Sequence, residues 1–264
     1  MKEYKDQMNQ TIRLSASPRR IVSLVPSQTE LLYDLGLDEE VVGITKFCIH
    51  PKDWFKSKTR VGGTKDISLA KVSKLNPDLL IGNKEENEKL NIERLKSQYP
   101  VWMSDIYTLQ DALKMIEQIG ELVGKSEKAV EISTSIKKSF DQFKTENSTR
   151  FIGKSPTVMY LIWRNPYLSA GKNTFIDSIL SECGFSNFMK EERYPEINID
   201  SKDSPDYIFL SSEPYPFKDK HIKELSLIYP TSKILLVDGE MFSWYGSRLL
   251  NATNYFNNLI NKLL

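Results

Sequence analysis

Two side chains able to bond a metal, Cys48 and His50, stand two residues apart in Lys46-Phe47-Cys48-Ile49-His50-Pro51. A thiolate and an imidazole are both competent donors, and on an extended strand they would project to the same side. Two donors do not complete a site, and Pro51 points to a turn, so His50 is kept as the single metal-ligand candidate. Rings and polar groups are also mixed in Pro26-Ser27-Gln28, Asn83-Lys84, Trp163-Arg164-Asn165, Ser211-Ser212-Glu213 and Glu240-Met241-Phe242-Ser243-Trp244-Tyr245. The candidate binding residues drawn from these stretches are Ser27, Lys46, Phe47, His50, Asn83, Trp163, Arg164, Glu240, Phe242 and Trp244. Rings can cover the apolar faces of a large flat molecule while donors and acceptors meet its polar edge. A single ring after a strand packs a core as readily as it meets a ligand, so the set carries more than any member.

Catalytic chemistry finds little to work with. The chain has no Gly-x-x-x-x-Gly-Lys-Ser/Thr, Gly-x-Gly-x-x-Gly, Gly-x-Ser-x-Gly or His-Glu-x-x-His, the patterns that cradle phosphates, build nucleophile elbows or hold zinc. Its two histidines are His50 and His221, and His221, within Lys218-Asp219-Lys220-His221-Ile222-Lys223, reads as part of a solvated helix face. Glu85-Glu86 and Glu191-Glu192 are adjacent pairs that diverge on any regular element, and read as surface. The expectation is a binding protein, not an enzyme.

The elements that must position the candidates follow from hydrophobic patterning. Ile21-Val22-Ser23-Leu24-Val25 is a continuous apolar run suited to a strand buried on both faces of a parallel sheet. Ser27, three residues before Glu30, has the spacing of a capping box, and Leu31, Leu32 and Leu35 form an apolar helix face ended by Gly36. Residues 41–44, 78–82 and 101–103 read as further strands, with helices around Leu69–Leu75 and Ile92–Leu95. Residues 4–14 read as a short edge hairpin.

From 108 to 143 apolar residues recur at helical spacing, divided by Gly124. Strand signals resume at 157–163, 207–210 and 233–238, with helices over 175–184 and 249–264. In such sheets ligands gather beyond the carboxyl ends of the strands, which is where the candidate residues fall. The predicted organisation is an N-terminal α/β lobe over 1–106, a linking helical segment over 107–147 and a C-terminal α/β lobe over 148–264.

The chain has 264 residues, with 36 Lys+Arg against 35 Asp+Glu and 40% hydrophobic residues. That balance supplies no clustered basic charge for nucleic acid or acidic membranes. Two cysteines in different halves make neither a disulfide framework nor a structural zinc site. No apolar run nears the roughly 18 residues of a membrane span. Residues 1–7 lack the apolar stretch of about 7 to 15 residues of a secretory leader.

The stretch Arg20-Ile21-Val22-Ser23-Leu24-Val25-Pro26-Ser27-Gln28-Thr29-Glu30-Leu31-Leu32, followed by Leu35-Gly36 and Val42-Gly43-Ile44-Thr45, resembles the periplasmic-binding-protein family that serves cobalamin, haem and ferric-siderophore ABC transporters. The likeness continues through Gly62-Gly63, Leu75-Asn76-Pro77-Asp78-Leu79-Leu80-Ile81, Ser169-Ala170-Gly171-Lys172-Asn173-Thr174-Phe175, Cys183-Gly184 and Ser204-Pro205-Asp206-Tyr207-Ile208-Phe209. It is strongest toward cobalamin-binding members.

The resemblance implies two α/β lobes with mostly parallel central sheets, joined by a long inter-lobe helix and closing over a metal chelate. It implies a corrinoid as ligand, with haem or a ferric siderophore as alternatives. It also implies no covalent cofactor, a monomer, a periplasmic or cell-surface location and an ABC permease as partner. By the same resemblance Phe47, Trp163, Phe242 and Trp244 lie in segments that line the family's cleft.

Two departures bear on the partner. Family members carry an acidic permease-docking residue on each lobe, and the first position is held here by Ala70. On the second lobe Asp200 or Asp203 is the candidate stand-in. With the absent leader pattern, this leaves a cytoplasmic corrinoid-sequestering or regulatory protein as an alternative. The enzyme alternative, a nitrogenase-like two-lobed metal protein, would bring cysteine ligands that this chain lacks.

Overall fold

The computed structural model describes residues 1–151, 155–199 and 203–263. Two compact units emerge: Met1–Ile106 with Gln110–Ile136 and Tyr245–Arg248, and Tyr107–Leu109 with Lys137–Trp244 and Leu249–Leu264.

The first unit opens with a hairpin of β1 (Lys2–Lys5) and β2 (Thr11–Leu14). Then follow β3 (Ile21–Ser23), α1 (Pro26–Asp34), β4 (Val41–Ile44), α2 (Lys52–Ser57), β5 (Thr59–Arg60), α3 (Leu69–Leu75), β6 (Leu79–Asn83), α4 (Lys89–Lys96), β7 (Val101–Ser104) and α5 (Leu109–Leu122). The sheet order is β5-β4-β3-β6-β7, parallel throughout. Every residue of β3, β6 and β7 is buried, as strands covered on both faces require.

α1 departs from the capping-box expectation. Val25 is its N-cap, with no side-chain cap bond, and Pro26 takes the first helical position. A proline there has its φ preset for a helix and loses no needed N–H, so Ser27 is drawn inside the helix. Gly36 ends it at φ 78°.

α6 (Ser126–Asn147) follows α5 after Gly124, which turns the chain at φ 72°. Its 22 residues span roughly 33 Å at about 1.5 Å each. Residues through Ile136 belong to the first unit and those from Lys137 to the second. Among the described residues no helix is long and apolar enough to cross a membrane.

The second unit contains β8 (Thr157–Trp163), β9 (Leu168–Ser169), α7 (Phe175–Glu182), β10 (Ser186–Asn187), β11 (Tyr207–Ser211), α8 (Asp219–Ile228), β12 (Lys233–Val237), α9 (Gly239–Ser243) and α10 (Leu249–Leu263). Its order is β10-β8-β11-β12, all parallel, with β9 antiparallel to β8. Met159, Leu161, Ile208 and Leu210 form one core with Phe217 and Leu225. The opposite face buries Tyr160, Phe209, Phe242 and Phe256.

Both orders contain a switch point. In the first sheet the connections from β3 and β6 leave toward opposite edges, and in the second those from β8 and β11 do. Parallel α/β sheets open a crevice for ligands at the carboxyl ends of such a pair.

Candidate functional site

At the switch point of the first unit, β3 runs into Ser27 and Gln28, and β6 into Asn83 and Lys84. Ser27 and Asn83 are both buried. Asn83 Nδ2 donates to Ser104 Oγ at 3.0 Å, and its Oδ1 accepts the backbone N–H groups of Glu85 and Glu86 at 2.8 and 3.0 Å. Its amide therefore shapes the turn after β6, a task that a polar residue at a strand end does not reveal in sequence. Over the same end lies a segment from far down the chain. Tyr245 donates its hydroxyl to Glu86 Oε1 at 2.7 Å, and Gly246 sits so close to Ser27 that a Cβ there would lie 2.5 Å from the Ser27 carbonyl oxygen. Burial, with the nearby Glu86 charge, pushes the Tyr245 phenol well above its ordinary value.

Lys46, Phe47 and His50 follow β4. Phe47 is 51% exposed, large for a phenylalanine, and the Lys46 ammonium lies 5.1 Å from its ring centroid. Gly63 makes room for both, since a Cβ there would meet Lys46 Cε and Phe47 Cε2 at 3.2 Å. His50 is half-buried. Cys48 is divided from it by environment: it is fully buried, with Thr29 Oγ1 and Thr45 Oγ1 both 3.1 Å from its sulfur. Burial pushes its thiol up to about 11, which opposes the thiolate that a metal needs. Among the described residues no three of His, Cys, Asp and Glu gather as a metal cluster, so His50 offers at most one bond.

In the second unit Trp163 ends β8 with its indole 41% exposed. It continues the row Met159–Leu161–Trp163, whose first two members are core, because alternate residues of a strand share a face. Its ring meets Tyr215 edge-on at 5.8 Å. Arg164 is engaged within the fold: its Nη2 lies 2.9 Å from both carboxylate oxygens of Glu224, and Tyr167 donates to Glu224 Oε1 at 2.8 Å. Partial burial works against the Glu224 charge, but Arg164 and Tyr167 hold the carboxyl below its usual range.

His221 is a correction. It is buried, not part of a solvated face, because the first turn of α8 directs it between Tyr215 and Phe217, whose ring centroids lie 5.6 and 5.4 Å away.

Phe242 has no exposed surface and packs against Tyr160, Phe209, Tyr255 and Phe256. Trp244 is buried too, donating Nε1 to Glu213 Oε1 at 2.9 Å, where Ser243 Oγ also donates. Burial raises the Glu213 carboxyl, those two bonds oppose the rise, and the charges of Glu240 and Asp238 add to it. Glu240, half-buried, stands in α9, whose N-cap Asp238 accepts the Glu240 N–H at 3.0 Å.

Within the first unit the exposed members of the predicted set are Lys46 and Phe47, and within the second Trp163. Ser27 and Asn83 in the first unit, and Phe242 and Trp244 in the second, are buried, and Phe242 packs on the face of the second sheet opposite to the Met159–Leu161 row that Trp163 continues. Glu86, read from sequence as surface, is half-buried and accepts the Tyr245 hydroxyl, and Tyr215, which sequence reasoning did not single out, packs on Trp163. Ala70 is exposed on α3 beside exposed Lys71 and Lys74, so this helix presents no acid there. Asp200 lies outside the described residues, and Asp203 is exposed.

Two α/β units, each with a parallel sheet bearing rings and polar groups at its strand ends, define a two-lobed binding protein. The chain belongs to the family described as "Periplasmic binding protein", whose profile matches residues 21–227. A Bacillus subtilis protein described as an uncharacterized ABC transporter substrate-binding lipoprotein, YvrC, is 29% identical over 182 residues. The match covers 67% of this chain and 57% of that protein, so the chain spans just over half the relative's length. The vitamin B12-binding protein of Pectobacterium atrosepticum is 23% identical over 246 residues, covering 90% of this chain and 86% of that one. Among solved structures, the periplasmic vitamin B12 binding protein BtuF of Vibrio cholerae superposes with a TM-score of 0.79 at 19% identity, covering 93% of this chain and 98% of that chain. The heme-binding protein BhuT, in complex with two hemes, superposes with a TM-score of 0.77 at 18% identity, covering 94% and 100%.

Proposed function

We propose that this chain is the substrate-binding component of an ABC-type uptake system and that its ligand is a metal chelate, a corrinoid before haem or a ferric siderophore. The observation that carries the reading is the pair of exposed rings at strand ends, Phe47 and Trp163, in a chain of this family. Rings placed at the carboxyl ends of parallel strands, where such sheets receive ligands, suit the apolar face of a large flat molecule. Lys46 and the strand-end polar groups would meet the chelate's peripheral amides and its phosphate, and His50 would supply at most one bond to the metal. On this reading Ser27 and Asn83 shape strand ends of the first unit, Arg164 and Glu240 follow strands of the second, and Phe242 and Trp244 support the second unit from within. A corrinoid is favoured because the relatives covered over most of this chain are named for vitamin B12. On this reading the protein works outside the cytoplasmic membrane and hands its cargo to a permease through contacts other than an acid at Ala70.

Titration of the purified protein with cyanocobalamin, dicyanocobinamide and hemin, followed by visible absorbance and calorimetry, tests this. Saturable binding of a corrinoid at about micromolar Kd or tighter, near −8 kcal/mol, is the expected result. Tighter binding of hemin would move the ligand to haem, and no binding of any of the three would overturn the corrinoid and haem readings together.

A further inference from the structure

Trp163 is a half-exposed indole that stands on a chain of side chains leading to a buried histidine. Its edge-on partner, Tyr215, lies 4.8 Å from Phe217 by ring centroid, and its hydroxyl is 3.4 Å from His221 Nε2. The other ring nitrogen, Nδ1, accepts the backbone N–H of Lys218 at 2.9 Å. Lys218 is the N-cap of α8, so His221 satisfies an amide at the helix entrance by reaching back, as the third residue of a capping box does.

Those two contacts fix the chemistry of the ring. An Nδ1 that accepts carries no proton, so the neutral tautomer bears its hydrogen on Nε2, facing the Tyr215 oxygen. A second proton would have to enter at Nδ1, where it would confront the Lys218 N–H. The ring would then have to turn, or the first turn of α8 open. Either movement withdraws support from Tyr215 and, through it, from Trp163.

Burial and the nearby cations act in the same sense. Burial holds the imidazole below its ordinary value, Lys220 and Arg164 add to this, and Glu224 opposes it. Glu224 is already paired with Arg164, so it does not offer the imidazolium an undivided counter-charge.

We infer that His221 is a positioning residue for Trp163: in its neutral form it holds Tyr215 and the entrance of α8, and so keeps the exposed indole set to meet a flat ligand. The ligand half of this inference rests on the function proposed above, whereas the hold of His221 on Trp163 does not. A folded imidazole that resists protonation binds fewer protons than the unfolded chain as pH falls below about 6.5. The support is complete above that value and is lost as pH falls through the lower folded value.

The test uses protein labelled with 5-fluorotryptophan. The Trp163 resonance is assigned with Trp163→Phe, and its position is followed from about pH 7.5 to about pH 4, the range in which a perturbed imidazole titrates. The same range is covered by calorimetric titration with cyanocobalamin. His221→Gln keeps an amide near the Nε2 position and cannot titrate, and Tyr215→Phe removes only the hydroxyl. In the unaltered protein the Trp163 signal should move with acid and the Kd for cyanocobalamin should weaken by about tenfold, equal to ~1.4 kcal/mol.

In His221→Gln both acid responses should be absent, and in Tyr215→Phe the resonance response should be reduced. The same acid course in His221→Gln as in the unaltered protein would overturn the inference. Should His221→Gln fail to fold, an unchanged course in Tyr215→Phe would do so. A Trp163 signal that behaves as expected while cyanocobalamin binds at no pH would support the hold of His221 on Trp163 and overturn the corrinoid reading.

Discussion

Arg248 grips Glu30 with two arms of its guanidinium, Nε to Oε2 at 2.8 Å and Nη2 to Oε1 at 2.6 Å, joining residues 218 positions apart within the first unit. The side chains are only 14% and 18% exposed, so water weakens the pair less than it would a surface bridge. A planar fork on a carboxylate is a strong geometry, and it fixes Tyr245–Arg248 beside α1, where Gly246 meets Ser27.

Removing Arg248 leaves the Glu30 carboxylate partly buried without its forked partner. Arg248→Ala should therefore lower stability by about 2 kcal/mol, less than the 3–5 kcal/mol of a fully buried pair. Arg248→Lys should recover only part of this, because an ammonium cannot fork. Urea unfolding followed by circular dichroism measures both, and a loss below about 0.5 kcal/mol, the range of ordinary surface bridges, would refute the assignment.

Asp6 gives a pH dependence. Its Oδ1 accepts the N–H groups of Met8 and Gln10 at 2.9 and 2.7 Å, while Oδ2 is buried without a hydrogen bond. Burial raises its carboxyl, and the backbone bonds only partly oppose this. The folded chain thus takes up this proton more readily than the unfolded one. The stabilising contribution is complete below the ordinary value of 3.8 and is lost as pH rises through the folded value. Asp6→Asn keeps the oxygen that accepts both N–H groups and carries no charge. It should be more stable than the unaltered protein at neutral pH, with the gain vanishing in acid, as thermal melts across that range will show.

The main strands of both sheets could be read from the sequence because each is an apolar run bounded by turn residues, and the α5–α6 break because Gly124 interrupts the helical pattern. Short elements escaped. β9 and β10 have two residues each, too few for any period to register, and α2 is six residues of mixed polarity. The candidate site was legible in part as a set of strand-end positions. The strand-end rule picked out Phe47 and Trp163, whose exposure is local to a turn. The same rule could not separate Phe242, which its own short helix α9 turns inward, nor bring Tyr245 to Glu86 across 159 positions. His221 was misread because its flanking lysines suggest a wet face, whereas the first turn of α8 points the ring inward.

Both cysteines should be silent in the folded protein. Cys48 and Cys183 are buried and unbridged, and burial raises both thiols, Cys48 to about 11 and Cys183 well above its ordinary value. Reaction requires an accessible thiolate. A thiol-exchange reagent at neutral pH should modify neither within minutes and both after denaturation. Prompt stoichiometric labelling of the native chain would contradict the burial of Cys48 beneath Thr29 and Thr45.

The two exposed rings should carry unequal shares of chelate binding. Trp163 offers the larger face and stands on a braced support of Tyr215, Phe217 and His221, whereas Phe47 has the Lys46 ammonium beside its ring and a small residue, Gly63, behind it. A ring already braced gives up less freedom when it binds. Trp163→Ala should therefore weaken cyanocobalamin binding by about 2 kcal/mol, or roughly thirtyfold, and Phe47→Ala by about 1 kcal/mol, or roughly fivefold, within the range of aromatic contacts at interfaces. Phe47→Ala should shift the unfolding midpoint no more than surface substitutions do, whereas Trp163→Ala, which also removes the packing on Tyr215, should lower it somewhat more. Calorimetric titration of the two variants beside the unaltered chain decides the point. Equal losses would remove the advantage assigned to the braced ring, and no loss in either would move the ligand away from these strand ends.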